Sequence, residues 1–252
     1  MMKTIAFYNL KGGVGKTATA VNIAWIAARS GLKTVFWDLD QQGASSFYLR
    51  VDPKLSVKTK KLITGKKSLG KQAQPTEYDN LSLIPADESY RDMDLMISDR
   101  KNSAEVLAEV LEPLNKSYDL LVLDCPPSFS TLSENIFATT DAILLPLIPT
   151  PLSIRAYDQI VAFFKKHKIP RRKLHPFFSM VDRRRKLHKQ WLENPPRELI
   201  NLLSAYIPYA SVVEQMGQHQ APVGAYSPHS PVQAAYVALW EELAMRLKLT
   251  VG

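Results

Sequence analysis

Seven residues near the N-terminus, Lys11-Gly12-Gly13-Val14-Gly15-Lys16-Thr17, leave this chain few ways to fold. They follow a short apolar run, Ile5-Ala6-Phe7-Tyr8. The pattern predicts a strand, then a glycine-rich loop, then a helix that begins near Lys16 and runs to roughly residue 30. A phosphate chain needs many N–H donors at close range. Glycines remove the Cβ atoms that would block backbone approach, and they permit the positive φ angles of an anion-binding nest. The helix N-terminus adds free N–H groups and partial positive charge. In this register Lys16 reaches the β- and γ-phosphates, and the Thr17 hydroxyl reaches Mg²⁺. The loop predicts a nucleoside triphosphate site formed by Lys11, Gly12, Gly13, Val14, Gly15, Lys16, Thr17 and Ala18.

Two more apolar runs end in carboxylates. Thr34-Val35-Phe36-Trp37 leads into Asp38-Leu39-Asp40-Gln41-Gln42-Gly43, and Tyr118 to Leu123 leads into Asp124-Cys125-Pro126-Pro127-Ser128. In a doubly wound sheet ligands bind beyond the C-terminal ends of the strands, so carboxylates placed there face the phosphate loop. Four apolar residues followed by Asp124 form a Walker B pattern, whose carboxylate reaches Mg²⁺ through water. Pro126 and Pro127 can extend neither a helix nor a central strand, so they fix a stiff turn. Cys125, the only cysteine, reads as a small apolar filler.

Strands and helical stretches alternate along the chain, which predicts an α/β fold. The expected architecture is one doubly wound, mostly parallel sheet flanked by helices, forming a single domain over residues 1–252. Further strands are predicted near Leu81–Pro85, Ala142–Ile148, Pro176–Val181 and Tyr206–Pro208. Helices are predicted near Ala104–Asn115, Ile154–Lys166, His188–Leu203 and Pro231–Leu247. A single cysteine excludes an intramolecular disulfide. The first apolar run is interrupted by the glycine loop, unlike a signal peptide. The longest apolar stretch, Ala142 to Ile148, contains a proline and is too short to span a bilayer. These features predict a cytoplasmic protein.

The usual phosphate loop opens on a glycine six residues before its lysine, where this chain has Leu10, and it lacks the second lysine found here at Lys11. This form, with Asp-x-Asp-x-Gln-Gly at 38–43 and Asp-Cys-Pro-Pro-Ser at 124–128, resembles the deviant Walker A motif class of ParA/MinD P-loop ATPases. Leu132, Asn135 and Ala138 continue the resemblance. It implies an ATP-sandwich homodimer in which Lys11 reaches across the interface to the partner's nucleotide. It implies that Asp40 orients the attacking water or a Mg²⁺-bound water, and that Asp38 supports the metal's outer shell. The implied catalytic set is Lys11, Lys16 and Asp40; the implied metal set is Thr17, Asp40 and Asp124. Ile207-Pro208 followed by Val213-Glu214 resembles the segment that closes over adenine, making Pro208 a neighbour of the base. The arginine often found there is missing, with Val212 and Val213 in its neighbourhood. Slow turnover, raised by a ParB-like or other adaptor protein, is a further implication.

Charge is unevenly spread. Between Lys165 and Lys189 stand eleven Lys/Arg residues against one acid, Asp182, so this stretch carries +10 while the whole chain carries +8. Such local basicity is the footprint expected for a polyanion partner. ParA-type ATPases bind double-stranded DNA without sequence preference, and by resemblance Val181-Asp182-Arg183-Arg184 belongs to that surface. The DNA-contact candidates are Arg171, Arg172, Lys173, Arg183, Arg184, Arg185 and Lys186, and association with the nucleoid in the ATP state follows. Phosphate contacts of this kind predict strong salt dependence. A second cluster of seven lysines, Lys54 to Lys71, contains no acid and departs from the family pattern.

The chain begins at its first strand, so no helix-turn-helix extension is expected. Only Lys248 and Leu249-Thr250-Val251-Gly252 follow the last predicted helix, so no basic amphipathic membrane tail, and no membrane partner, is expected. Two alternatives use the same scaffold: a MinD-like membrane-positioning ATPase, and a metabolic enzyme such as a dethiobiotin synthetase-like ligase or an electron-donating iron protein. The iron protein needs paired cysteines across a dimer, which Cys125 alone does not match.

Overall fold

The structure, a computed structural model, describes residues 1–249. Its strands are β1 (Lys3–Phe7), β2 (Thr34–Asp38), β3 (Gln74–Pro75), β4 (Leu81–Ile84), β5 (Leu120–Asp124), β6 (Ala142–Leu147) and β7 (Leu174–Phe178). The helices are α1 (Lys16–Arg29), α2 (Ala44–Tyr48), α3 (Thr59–Ile63), α4 (Met93–Ser98), α5 (Val106–Leu111) and α6 (Thr131–Thr139). They continue with α7 (Pro151–Lys166), α8 (Lys186–Glu193), α9 (Ser211–Glu214), α10 (Met216–His219), α11 (Val223–Tyr226) and α12 (Pro231–Leu247). The strands form one sheet in the order β3-β4-β2-β5-β1-β6-β7, parallel throughout except for the short antiparallel β3. The expected doubly wound, mostly parallel sheet is what the chain forms.

Strands β2, β5 and β6 are buried at every residue, as strands covered on both faces must be. Alternation sorts their side chains into two cores. Val35, Trp37, Leu121, Leu123, Ile143 and Leu145 pack on one face, where α3 to α8 contribute. Phe36, Leu120, Val122, Ala142 and Leu144 pack on the other, against α1 and α12. Where Trp37 needs a polar partner, its indole N–H donates to Tyr90 Oη at 2.9 Å and that hydroxyl donates to the Pro85 carbonyl at 3.0 Å.

Several predicted boundaries move for identifiable reasons. The helix expected over His188–Leu203 stops at Glu193, because Pro195 and Pro196 cannot continue it. The helix expected over Ala104–Asn115 is α-helical only over Val106–Leu111, then tightens into a 3₁₀ turn carrying Pro113. The strand expected at Tyr206–Pro208 is reduced to an isolated bridge between Val181 and Pro208. Met180 is the cause. Its φ of 53° turns the chain after β7, so a regular ladder cannot run on to Val181.

Helix α11 wedges between α1 and α12 through a close approach at Gly224. A Cβ there would stand 2.2 Å from the Trp25 ring and 2.8 Å from Gln233 Cδ. Asn22 fixes the contact by accepting a hydrogen bond from the Val223 N–H at 2.8 Å. Gly224→Ala is therefore expected to destabilise the fold by about 1–3 kcal/mol through overpacking. A urea-unfolding midpoint equal to wild type would show instead that Trp25 moves aside freely.

Candidate nucleotide-binding site

The phosphate loop leaves β1 and enters α1 at the C-terminal edge of the sheet. Asn9 anchors its start: the side-chain amide donates to the Pro146 carbonyl at 2.7 Å, while Oδ1 accepts the Lys11 N–H at 3.0 Å. Gly15 caps α1 at φ 84°, and a Cβ there would lie 2.9 Å from Ser179 Oγ. Only glycine satisfies both demands. Val14 is buried and Gly12 and Gly13 are exposed, so the loop's backbone faces outward from an apolar anchor.

Lys16, the first residue of α1, is buried and points at β5, where its Nζ lies 2.5 Å from Asp124 Oδ1. Burial alone would lower its pKa; the charge and hydrogen bond of Asp124 outweigh that and raise it, with Asp40 adding to the effect. The other Asp124 oxygen accepts from Ser45 Oγ at 2.8 Å. In the register of β2 and β5, Asp38 stands opposite Asp124, and both are fully buried. Asp38 accepts the N–H and hydroxyl of Ser46, each at 2.9 Å. Asp40 follows at the strand's mouth, accepting the Gln42 N–H at 3.1 Å in a tight turn. Cys125 is buried against this cluster with its thiol pushed well up, firstly by burial, which suits a filler and not a nucleophile.

Lys16 pairs with Asp124 alone, and Asp38 beside it is met only by N–H and hydroxyl donors. That surplus of negative charge, with oxygen donors from Thr17, Asp40 and Asp124 nearby, fits a hard divalent cation that keeps much of its water. Mg²⁺ bound with a nucleotide meets that description. Among the described residues there is no cluster of three His, Cys, Asp or Glu side chains able to hold a metal by themselves.

Beside the loop lies a cavity of about 310 Å³, mainly apolar, walled by Gly13, Ala18, Ser179, Met180, Pro208 and Tyr236. Pro208 thus faces the same space as the loop. Lys11 is half-buried and its ammonium has no hydrogen-bond or ion-pair partner among the described residues. Ser45, Ser46, Asn9 and Ser179 were not singled out by sequence. Ser45-Ser46 directly after Gly43 was the available signal, but it is indistinguishable in one sequence from ordinary helix-start residues.

The basic stretch is not one surface. Strand β7 divides it, leaving Arg171, Arg172 and Lys173 before its N-terminal end and Arg183 to Lys186 beyond its C-terminal end. Lys173 Nζ donates to the Phe137 and Ala138 carbonyls at 3.0 and 2.7 Å, capping the end of α6. Arg171 donates to Tyr157 Oη and the Glu198 carbonyl. Both have internal work, and only Arg172 of this group is exposed. Arg183, Arg184, Arg185 and Lys186 are all exposed. Arg184 grips Asp182 through two bonds of 2.9 and 3.0 Å, holding that carboxyl down at about 2.

Asp38 has its carboxyl pushed up to about 7, first by burial and then by the Asp124 charge. The folded chain keeps a proton that the unfolded chain releases near pH 4. Asp38 therefore lowers stability progressively as pH rises from about 4 to about 7, and no further above that. Without nucleotide or Mg²⁺, Asp38→Asn is expected to gain stability over wild type across this window. Identical pH profiles of the urea midpoint for the two proteins would refute the assignment.

A family model described as an AAA domain matches residues 2–175. The chromosome-partitioning ATPase Soj of Treponema pallidum is 27% identical over 251 residues, covering 98% of each chain. A putative plasmid partition protein of Borrelia burgdorferi bound to AMPPNP superposes with a TM-score of 0.83 at 17% identity, covering 98% of this chain and all of that one. The cobyrinic acid a,c-diamide synthase of Mycobacterium smegmatis, with an ATP analogue and magnesium, superposes at 0.84 with 24% identity, covering 99% and 96%. At these identities the two superpositions speak for the fold alone. The matched family model, the Soj-like relative spanning nearly the full length, and the lysine-bearing loop facing Asp124 together establish that the chain belongs to the ParA family of P-loop ATPases.

Proposed function

We propose that this protein is an ATP-driven partition or positioning switch: ATP joins two copies, the dimer binds DNA without sequence preference, and hydrolysis releases it. The observation that supports this best is the Val181–Pro208 bridge. It ties the segment leading into exposed Arg183–Lys186 to a residue walling the nucleotide cavity. Hydrogen bonds reinforce the tie: Val181 N–H to the Ile207 carbonyl and Tyr209 N–H to the Val181 carbonyl, both at 3.0 Å. A change at the loop has a short mechanical route to the basic surface.

In this reading Lys16 exchanges its hold on Asp124 for the β- and γ-phosphates, and backbone N–H groups of the loop cradle the chain of phosphates. Thr17 and Asp124 would hold Mg²⁺, which neutralises phosphate charge when bound. Asp40 positions the attacking water, and Lys11 serves the nucleotide of the second copy. Catalysis by positioning and charge alone fits slow basal turnover awaiting an adaptor protein. The protein would act in the cytoplasm, on the nucleoid in its ATP state, as one domain. No helix among the described residues is long and apolar enough to cross a membrane. The tail at residues 250–252, on which the expectation of no membrane anchor partly rests, lies outside the described residues.

Lys16→Ala is expected to weaken ATP binding roughly ten- to a hundredfold, the worth of charge-assisted hydrogen bonds. Lys11→Ala should keep ATP affinity but lose dimerisation or hydrolysis, and Asp40→Ala should accumulate an ATP-bound dimer. Equal nucleotide affinity for Lys16→Ala and wild type would sink the site assignment. Binding to a duplex of arbitrary sequence is expected with Mg·ATP and not with Mg·ADP. In Arg183→Gln or Arg185→Gln its log–log salt slope should fall by about 0.9 for each phosphate that the arginine neutralised. Binding that ignores the nucleotide would refute the switch.

A further inference from the structure

The seven lysines between Lys54 and Lys71 take part in neither the nucleotide site nor the Arg183–Lys186 surface. Their segment is an ordered piece of the fold. Leu55, Leu62, Ile63 and Leu69 are buried in the core against α4 and α5. Ser56 donates its N–H and its hydroxyl to Gln72 Oε1 at 3.0 and 2.7 Å, tying the two ends together. The Thr59 and Ser89 hydroxyls meet at 2.5 Å, and the Lys67 N–H donates to the Lys61 carbonyl at 3.0 Å, folding the chain back on α3. That fold brings Lys60 and Lys61 beside Lys66 and Lys67.

All seven lysines are exposed, and among the described residues none forms an ion pair. Lys54 has Asp87 near it; the density of uncompensated charge lies from Lys58 to Lys71. No large apolar side chain is exposed in the segment. A membrane-surface element would offer such a side chain for insertion, and a protein-docking patch would offer it as an anchor. What the surface does offer is lysine charge interspersed with Thr64, Gly65 and Ser68. That chemistry contacts a sugar–phosphate backbone and reads no bases.

Position decides the rest. The segment runs directly into β3, the outermost strand on one side, whereas Arg183–Lys186 follows β7, the outermost strand on the other. Six strand spacings separate these edges, roughly 29 Å. We propose that Lys58–Lys71 is a second duplex-DNA surface, so that each subunit presents backbone-binding faces at opposite edges of its sheet and bridges two DNA segments. The bridging part rests on the DNA reading of Arg183–Lys186; the second face does not.

The test is capture of a fluorescent duplex by an unrelated duplex fixed on beads, with the full chain and Mg·ATP. Wild type is expected to bridge the two. The variant Lys60→Gln/Lys61→Gln/Lys66→Gln/Lys67→Gln should still bind a single duplex but capture about tenfold less or worse, as expected when several phosphates go unneutralised. In wild type, DNA should also shield these four lysines from acetylation, a readout that needs no variant. Undiminished capture and unshielded lysines, with wild-type DNA binding intact, would overturn the second face and leave the Arg183–Lys186 surface standing. Shielding that persists in Arg183→Gln/Arg185→Gln while capture is abolished would support two separate faces. Shielding by vesicles of anionic lipid but not by DNA would assign the face to a membrane and overturn the proposal. Absence of any DNA binding by wild type would overturn both readings.

Discussion

Everything at the ligand end of this molecule is organised around the contact between Lys16 and Asp124. Taking charges out of water costs several kcal/mol per ion even after relaxation. The chain meets that cost by giving every oxygen of the buried pair of carboxylates a donor: Lys16 and Ser45 on Asp124, Ser46 and the Asp40 N–H on Asp38. The satisfaction is still incomplete in charge, because the one ammonium there pairs with Asp124 alone. The site is held in shape by hydrogen bonds yet remains short of positive charge, which is a fitting condition for receiving Mg²⁺ with a nucleotide.

Sheet order makes that contact possible. Lys16 begins the helix after β1, and Asp124 ends β5, the neighbour of β1 in the sheet although distant in sequence. From β1 the chain crosses to β2 on one side, while β6 lies on the other side of β1. Connections leaving in opposite directions open a crevice above the strand ends, the place where ligands bind in such sheets. Asp38, at the end of β2, falls in register with Asp124 without any special device. The cluster is a consequence of parallel pairing with the carboxylates placed at corresponding strand ends.

Legibility followed the physics of each element. The loop, β2 and β5 could be read because their function needs particular residue types at fixed spacing next to apolar runs. Elements α7 and α12 could be read because apolar periodicity runs along them, although α7 begins at Pro151, ahead of the expected Ile154. What could not be read depended on distance in sequence. Ser45 and Ser46 look like helix-start residues until Asp124 and Asp38 are seen above them. Lys173 looks like part of a basic run until the end of α6 is found under its ammonium. The dense stretch from Lys165 to Lys189 resembled one electrostatic surface because sequence gives charge per residue, while β7 sends its two halves to opposite ends of the sheet.

The same geometry bears on how a small chemical event could be felt far away. Gly15, in the phosphate loop, lies so close to Ser179 that no Cβ fits between them. Ser179 is bonded through its N–H to the Leu147 carbonyl at 2.9 Å and begins the turn that passes through Met180 to Val181. Val181 is bonded to the Pro208 segment, and Arg183 is two residues further on. Close-packed atoms transmit displacement instead of absorbing it. A loop drawn around phosphates must push on Ser179 or pull away from it, and the left-handed Met180 gives the chain a defined pivot there. The coupling proposed between nucleotide and basic surface thus needs no long pathway: the Gly15–Ser179 contact and the four residues Ser179 to Asp182 connect the loop to the exposed arginines.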